Sequence, residues 1–346
     1  MPSTNLTFNE DDYQRWNVKV ELEMLMPAPA GPTNRELSED EWTSLVGPLS
    51  IALYEEGVHG CTVVNHNDER DAKKWCIMRD SAIRDESNNH IPHSFKLVSP
   101  TLPYHVLGGF EQYIPGFDTA FRVLDAYGCE RSSSCSTLVY TSPTQYFTPA
   151  LVDKPVDHAF TLNQAKYIAQ LVLRSALPLQ DLARTLGRNC VLPWDMRIGD
   201  GHSGQEAYRQ QLERIGSIDG ARSYEDLAAY MSSSELDDLD SSVPRRPMWD
   251  FSSLLDDSGM VQCSLGPCAK SGLDVVMWVH FTCMMAFAAV SRNGGTGRIN
   301  LCRLFKFEQQ LYVEMVHNTQ READSAWKNL YKLIKNPDIY NGTDWW

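Results

Sequence analysis

NVKVELEML, residues 17–25, alternates an apolar residue with a polar one through most of its length. In an extended chain successive side chains point to opposite sides, so Val18, Val20, Leu22 and Met24 share one face. Lys19, Glu21, Glu23 and Leu25 share the other. A strand of this kind fits an antiparallel sheet with one face against a core. Its second face has two readings. It is a solvated polar surface, or its two glutamates are a pair of carboxylates set to hold a cation.

The remainder of the chain restricts the choice. At 346 residues it is long enough for one large domain with a substantial core. A net charge of −14 and the lack of any basic stripe argue against binding to a nucleic-acid backbone. The start, MPSTNLTFNEDDY, is polar and acidic, without the pattern of a secretory or transit segment, so a cytoplasmic protein is expected. The longest apolar run, residues 275–290, contains His280 and follows Asp274. It is too short to span a bilayer and reads as a buried helix, so no membrane partner is expected. Nine cysteines without a CxxC pair read as reduced thiols. Cys263 and Cys268 come nearest to a metal knuckle, but no second pair stands at zinc-site spacing.

Along the chain, residues 1–16 read as a polar lead-in and 17–26 as a strand stopped by PAPAGP. Ser38 and Glu41 form a capping box that opens a helix with Trp42, Leu45, Val46, Leu49 and Leu53 as its apolar stripe, although Pro48 interrupts it. Short strands are expected at 61–65, 75–83 and 94–104, a helix over 117–127 and a strand over 132–143. Thr161 and Gln164 cap a long helix reaching Pro178. Residues 199–225 hold one helix, EAYRQQLERI. Residues 232–258, acidic, Ser-rich and broken by Pro, read as a mobile surface insertion. A hairpin over 298–307 and 310–316 and a helix opened by Thr319 and Glu322 complete the domain, with 338–346 as a tail. The mixture of strands and helices in one domain, 17–337, defines the class as α+β.

Taken in order, these segments resemble the fungal branch of the amidoligase family, one of the glutamine-synthetase-like carboxylate–amine ligases. The resemblance runs over about residues 15–335. NVKVELEM matches the family's opening strand, WCIMRDSA (Trp75 to Ala82) its aspartate-bearing turn, and SFKLVSP the strand that follows. SCSTLVYT matches the strand that carries two histidines in the family. Residues 160–177 match its long helix, and INL with YVEMVHN its late hairpin. The resemblance implies a curved antiparallel sheet with helices packed on one face. It implies ATP and magnesium as cofactors, with Glu21 and Glu23 binding the metal. The chemistry would phosphorylate a carboxylate and let an amine displace the phosphate, with magnesium held by hard oxygen ligands.

The chain departs from the family's pattern at several site positions. The third carboxylate falls on Lys96, the two histidines on Leu138 and Tyr140, and the late arginine on Val316, while Glu314 keeps its place. A cleft lined by Glu21, Glu23, Lys96, Tyr140 and Glu314 is expected, with Asp80 at its edge. Three readings follow. In the first, the protein has the ligase fold with degraded ATP and metal chemistry. In the second, it is an active ligase joining a small-molecule acid to an amine, in peptide or secondary-metabolite modification, with Lys96 contacting phosphate and Tyr140 orienting the nucleophile. In the third, it is an interaction protein that meets a protein partner through the acidic insertion and the Trp345–Trp346 tail. Other candidates have plainer readings. Cys135, which with Asp157 and His158 has the residue types of a thiol site, reads as a buried thiol. His90 and His93 read as surface residues and His280 as a core residue with a hydrogen-bond partner.

Overall fold

The computed structural model describes residues 15–27, 37–58, 60–64, 71–80, 83, 91, 93–105, 110–132, 134–144, 160–174, 179, 183, 190–191, 213–232, 246–256 and 259–291. The alternating stretch forms β1 (Arg15–Leu25), the longest strand described. Helix α1 (Glu39–Glu55) begins at the expected capping box. The Ser38 N–H donates to Glu41 at 2.9 Å, and the Glu41 N–H donates to the Ser38 hydroxyl at 3.3 Å. Its stripe of Trp42, Val46, Leu49 and Leu53 is buried, and Pro48 lies inside it.

Then come β2 (Thr62–Val64), β3 (Cys76–Arg79), β4 (Ser94–Val98), β5 (Leu102–His105), a 3-10 turn at Glu111–Tyr113, α2 (Ile114–Ala126) and β6 (Ser136–Pro143). Helix α3 (Leu162–Arg174) starts at the Thr161–Gln164 box, where both reciprocal hydrogen bonds are made. After β7 (Cys190–Val191), a helical stretch at 213–220 precedes α4 (Tyr224–Ser232). Of the helix expected over 206–215, residues 213–215 lie within the described residues and are helical. β8 (Arg246–Pro247), β9 (Trp249–Asp250), β10 (Val261–Pro267) and α5 (Gly272–Ser291) follow.

The main sheet is open and mostly antiparallel, in the order β2-β3-β4-β1-β6-β10-β9, with β5 pairing the first half of β1. Among the described residues only β2 and β3 pair in parallel within it. Register decides what each face carries. Val20 lies opposite Val139, Leu22 opposite Leu97, and Met24 opposite Phe95, and all six join one apolar core with the stripe of α1. Each such fully buried aliphatic or aromatic side chain contributes roughly 1.5–3 kcal/mol.

Helix α5 packs on β1 and β6 with one side, while α2 and α3 pack against it. That placement explains why 275–290 is apolar all round without crossing a membrane. Among the described residues no helix is long and apolar enough to do so. The first turn of α5 is anchored by Asp118 of α2, which accepts the Gly272 N–H at 2.7 Å. His280 is a core residue, as expected. Its Nδ1 and the Tyr104 hydroxyl are 2.8 Å apart, and its Nε2 is 3.4 Å from Glu111.

The stretch 232–258 differs from the expected surface insertion in its second half. β9 pairs with β10, and Met248, Trp249 and Phe251 are buried. Apolar residues behind the Pro–Arg–Arg–Pro break form a sheet edge here, which the acidic, Ser-rich composition of the whole stretch concealed. β10 was likewise unexpected, since a bulge between Cys263 and Gly266 breaks its alternation. Cys263 points into the core from β10. The predicted hairpin, final helix and tail beyond 297, Glu314 included, lie outside the described residues.

Candidate functional site

On the second face of β1, Glu21 lies at the centre of a polar cluster. Its own strand places Lys19 two residues before it on the same face. Pairing with β4 sets Lys96 opposite Glu23, and so diagonal to Glu21. Pairing with β6 sets Tyr140 opposite Lys19, again diagonal to Glu21. Three neighbours therefore converge on one carboxylate. The Lys19 ammonium is 2.9 Å from Oε1 and the Lys96 ammonium 3.4 Å from Oε2. The Tyr140 hydroxyl donates to Oε2 at 3.0 Å. Lys19 also lies over the Tyr140 ring, 3.5 Å from its centroid, close enough for a cation–π contact. Asp80, just after β3, lies 3.9 Å from the Lys96 ammonium and is buried.

The cluster is enclosed. Glu21 is 6% exposed and Glu23 is fully buried, with Leu138, Tyr140 and Met260 forming a small apolar group beside them. Burial alone would raise the Glu21 pKa. The charges of Lys19 and Lys96, with the hydrogen bonds from Lys19 and Tyr140, outweigh it and bring the carboxyl from an ordinary 4.5 down to about 2. Tyr140 moves the opposite way. Burial first, then the charge of Glu21 and the hydrogen bond to it, hold its hydroxyl well above the ordinary 10, so it stays a donor.

Four of the five residues expected in one cleft, Glu21, Glu23, Lys96 and Tyr140, share this face, and Asp80 joins them. Lys19 is the residue whose role the sequence reading missed. The signal was present, since Lys19 belongs to the same alternating set, but its reach to Glu21 rather than to solvent depends on the strands beside it. Cys135 is buried, and burial raises its thiol pKa. Asp157, His158 and His90 lie outside the described residues, as do Trp345 and Trp346.

Both oxygens of Glu21 already face cations or a hydroxyl donor. A divalent cation placed here would meet two ammonium groups. At 4 Å and an effective dielectric near 20, each would repel it by roughly 8 kcal/mol. The arrangement described does not fit magnesium at Glu21. Among the described residues no group of three or more His, Cys, Asp or Glu is placed to hold a metal ion.

No protein-family model matches this sequence, and no curated protein matches it.

Proposed function

We propose that this chain is an amidoligase-like protein, related in plan to the ATP-dependent carboxylate–amine ligases, in which the magnesium and ATP chemistry has been lost. The observation that carries the reading is the double engagement of Glu21 by Lys19 and Lys96. In a working ligase of this type, first-strand carboxylates neutralise magnesium, and magnesium neutralises the polyphosphate. Here two lysines neutralise the carboxylate inside the protein, so the charge needed to recruit a metal is spent on an internal network. The order of the matching segments and the mostly antiparallel sheet with helices against it support the ligase-like plan. The face that would carry catalysis becomes a charged floor whose role is structural, or a cleft kept for binding without ATP.

The test is a thermal-shift titration with Mg-ATP on the intact protein and on Glu21→Gln. No change in melting temperature up to millimolar nucleotide is expected in either, because only a ligand that binds the native state raises the midpoint. A rise with nucleotide that Glu21→Gln abolishes would overturn the reading in favour of an active ligase, and acid–amine pairs would then be screened for product.

A further inference from the structure

Helix α1 has two stripes. The inner one, Trp42, Val46, Leu49 and Leu53, is buried against the core. The outer one runs Asp40, Ser44, Gly47, Ile51, Tyr54, with spacings of four, three, four and three residues. This is the spacing with which one helix presents a continuous seam to another. Ile51 and Tyr54 are each 60% exposed, although both are large and apolar. Tyr127, at the end of α2 and 36% exposed, widens the seam, since its hydroxyl donates to the Pro48 carbonyl at 3.0 Å. Beside Gly47 the space is open, as a Cβ added there would meet nothing within 4 Å.

Charge marks the seam further. The sequence of α1, EDEWTSLVGPLSIALYE, has acidic residues in its first turn and Glu55 at its end, with no lysine or arginine. Glutamate in the last turn opposes the helix dipole, which favours cations there. The Gly47–Pro48 pair also weakens an exposed helix interior. The last turn is closed by backbone hydrogen bonds, from the Gly57 N–H to the Tyr54 carbonyl at 3.1 Å and from the Val58 N–H to the Leu53 carbonyl at 2.9 Å, which leave the Glu55 side chain exposed. The neighbouring Arg122 is held by Glu56 at 2.9 Å, so it brings no uncompensated positive charge to the seam.

We infer that the outer face of α1, with Tyr127, is a docking surface for an amphipathic helix of a partner protein that is apolar at its centre and carries lysine or arginine at both ends. Asp40 and Glu55 are roughly 22 Å apart along the axis, the length of a four-turn partner. Ser44 and Gly47 admit close approach. Ile51 and Tyr54 supply the apolar anchors, and the tyrosine rings accept a guanidinium. The inference stands apart from the reading of the sheet cluster, because the outer seam faces away from the sheet and uses none of its residues.

The test is fluorescence anisotropy with a labelled 17-residue model helix that has leucines at three–four spacing in its middle and Lys/Arg pairs at both ends. A peptide of the same composition in scrambled order is the control for simple attraction to an acidic protein. The ordered peptide is expected to bind at least about 10-fold tighter than the scrambled one. The Ile51→Ser/Tyr54→Ser double variant should cost about 10-fold, and Glu55→Lys should weaken binding and flatten its salt dependence. Because these side chains are exposed, the melting temperature should not move. Equal binding of the two peptides, no binding, or binding indifferent to the variants would overturn the inference. So would an Ile51-dependent dimer seen by analytical ultracentrifugation without peptide, since the face would then belong to a second copy.

Discussion

Glu21 shows how a side chain's role is set by what reaches it. Its carboxyl is held near 2 by two ammonium groups and a hydroxyl, against an ordinary 4.5. A lowered carboxylate pKa contributes stability that is complete above pH 4.5 and is lost as the pH falls toward 2. The shift corresponds to a contribution on the order of 3 kcal/mol. Urea denaturation between pH 6 and pH 2.5 should therefore show a fall that Glu21→Gln removes. The same variant should already be less stable at pH 7 by roughly 3 kcal/mol, because Lys19 and Lys96 lose their shared counter-charge in a largely buried place. A variant as stable as the parent at pH 7 would mean that the network contributes nothing net. Of this site, the carboxylates and their shared face were legible in NVKVELEML. The lysines that silence them were not, because Lys96 comes from a strand more than seventy residues away and Lys19 lies over the ring of Tyr140, which β6 supplies.

Two helices show the same division between local and long-range causes. The ends of α1 and α3 were readable because a capping box is a contact over three residues. The start of α5 is also capped locally, the Asp274 N–H donating to the Ser271 hydroxyl at 3.2 Å, but its Gly272 N–H is held by Asp118, on a different helix. The contrast gives opposite outcomes for the same chemical change. A Cβ at Gly272 would lie 2.6 Å from the Ile114 carbonyl oxygen, so Gly272→Ala should cost about 1–3 kcal/mol by forcing α5 away from α2. Gly47 of α1 has open space, and Gly47→Ala should raise stability by about 0.5–1 kcal/mol. Paired denaturation curves check both signs. The strand β10 and the edge strand β9 escaped the sequence reading because two-residue pairings and a bulge between Cys263 and Gly266 leave no clean alternation.

Across the molecule, one apolar core joins the sheet to α1, α2, α3 and α5, and His280 links three parts of it: α5, β5 through Tyr104, and the 3-10 turn through Glu111. Burial lowers its pKa below the ordinary 6.5, more than the facing Glu111 carboxylate raises it. The unfolded chain then takes up a proton before the folded one does. Stability should be complete above pH 6.5 and decline as the pH falls below it, a decline that begins well above the range in which Glu21 titrates. His280→Phe should abolish this upper limb of the pH profile while leaving the lower one, and a profile unchanged by the variant would show that the histidine does not titrate differently in the two states.

Strand β1, the capped starts of α1 and α3, the α+β class and the face on which Glu21 and Glu23 stand were determined by the sequence alone, because alternation and capping act over two to four residues. Of the groups around Glu21, Lys19 is a neighbour on its own strand, and Lys96 and Tyr140 came only from strand pairing. Lys96 and Tyr140 reach one carboxylate from β4 and β6, and a one-residue slip in either pairing would turn them to the opposite face. Whether those glutamates are open to a cation or closed by lysines is therefore a property of the register between strands, which no single stretch of the chain contains.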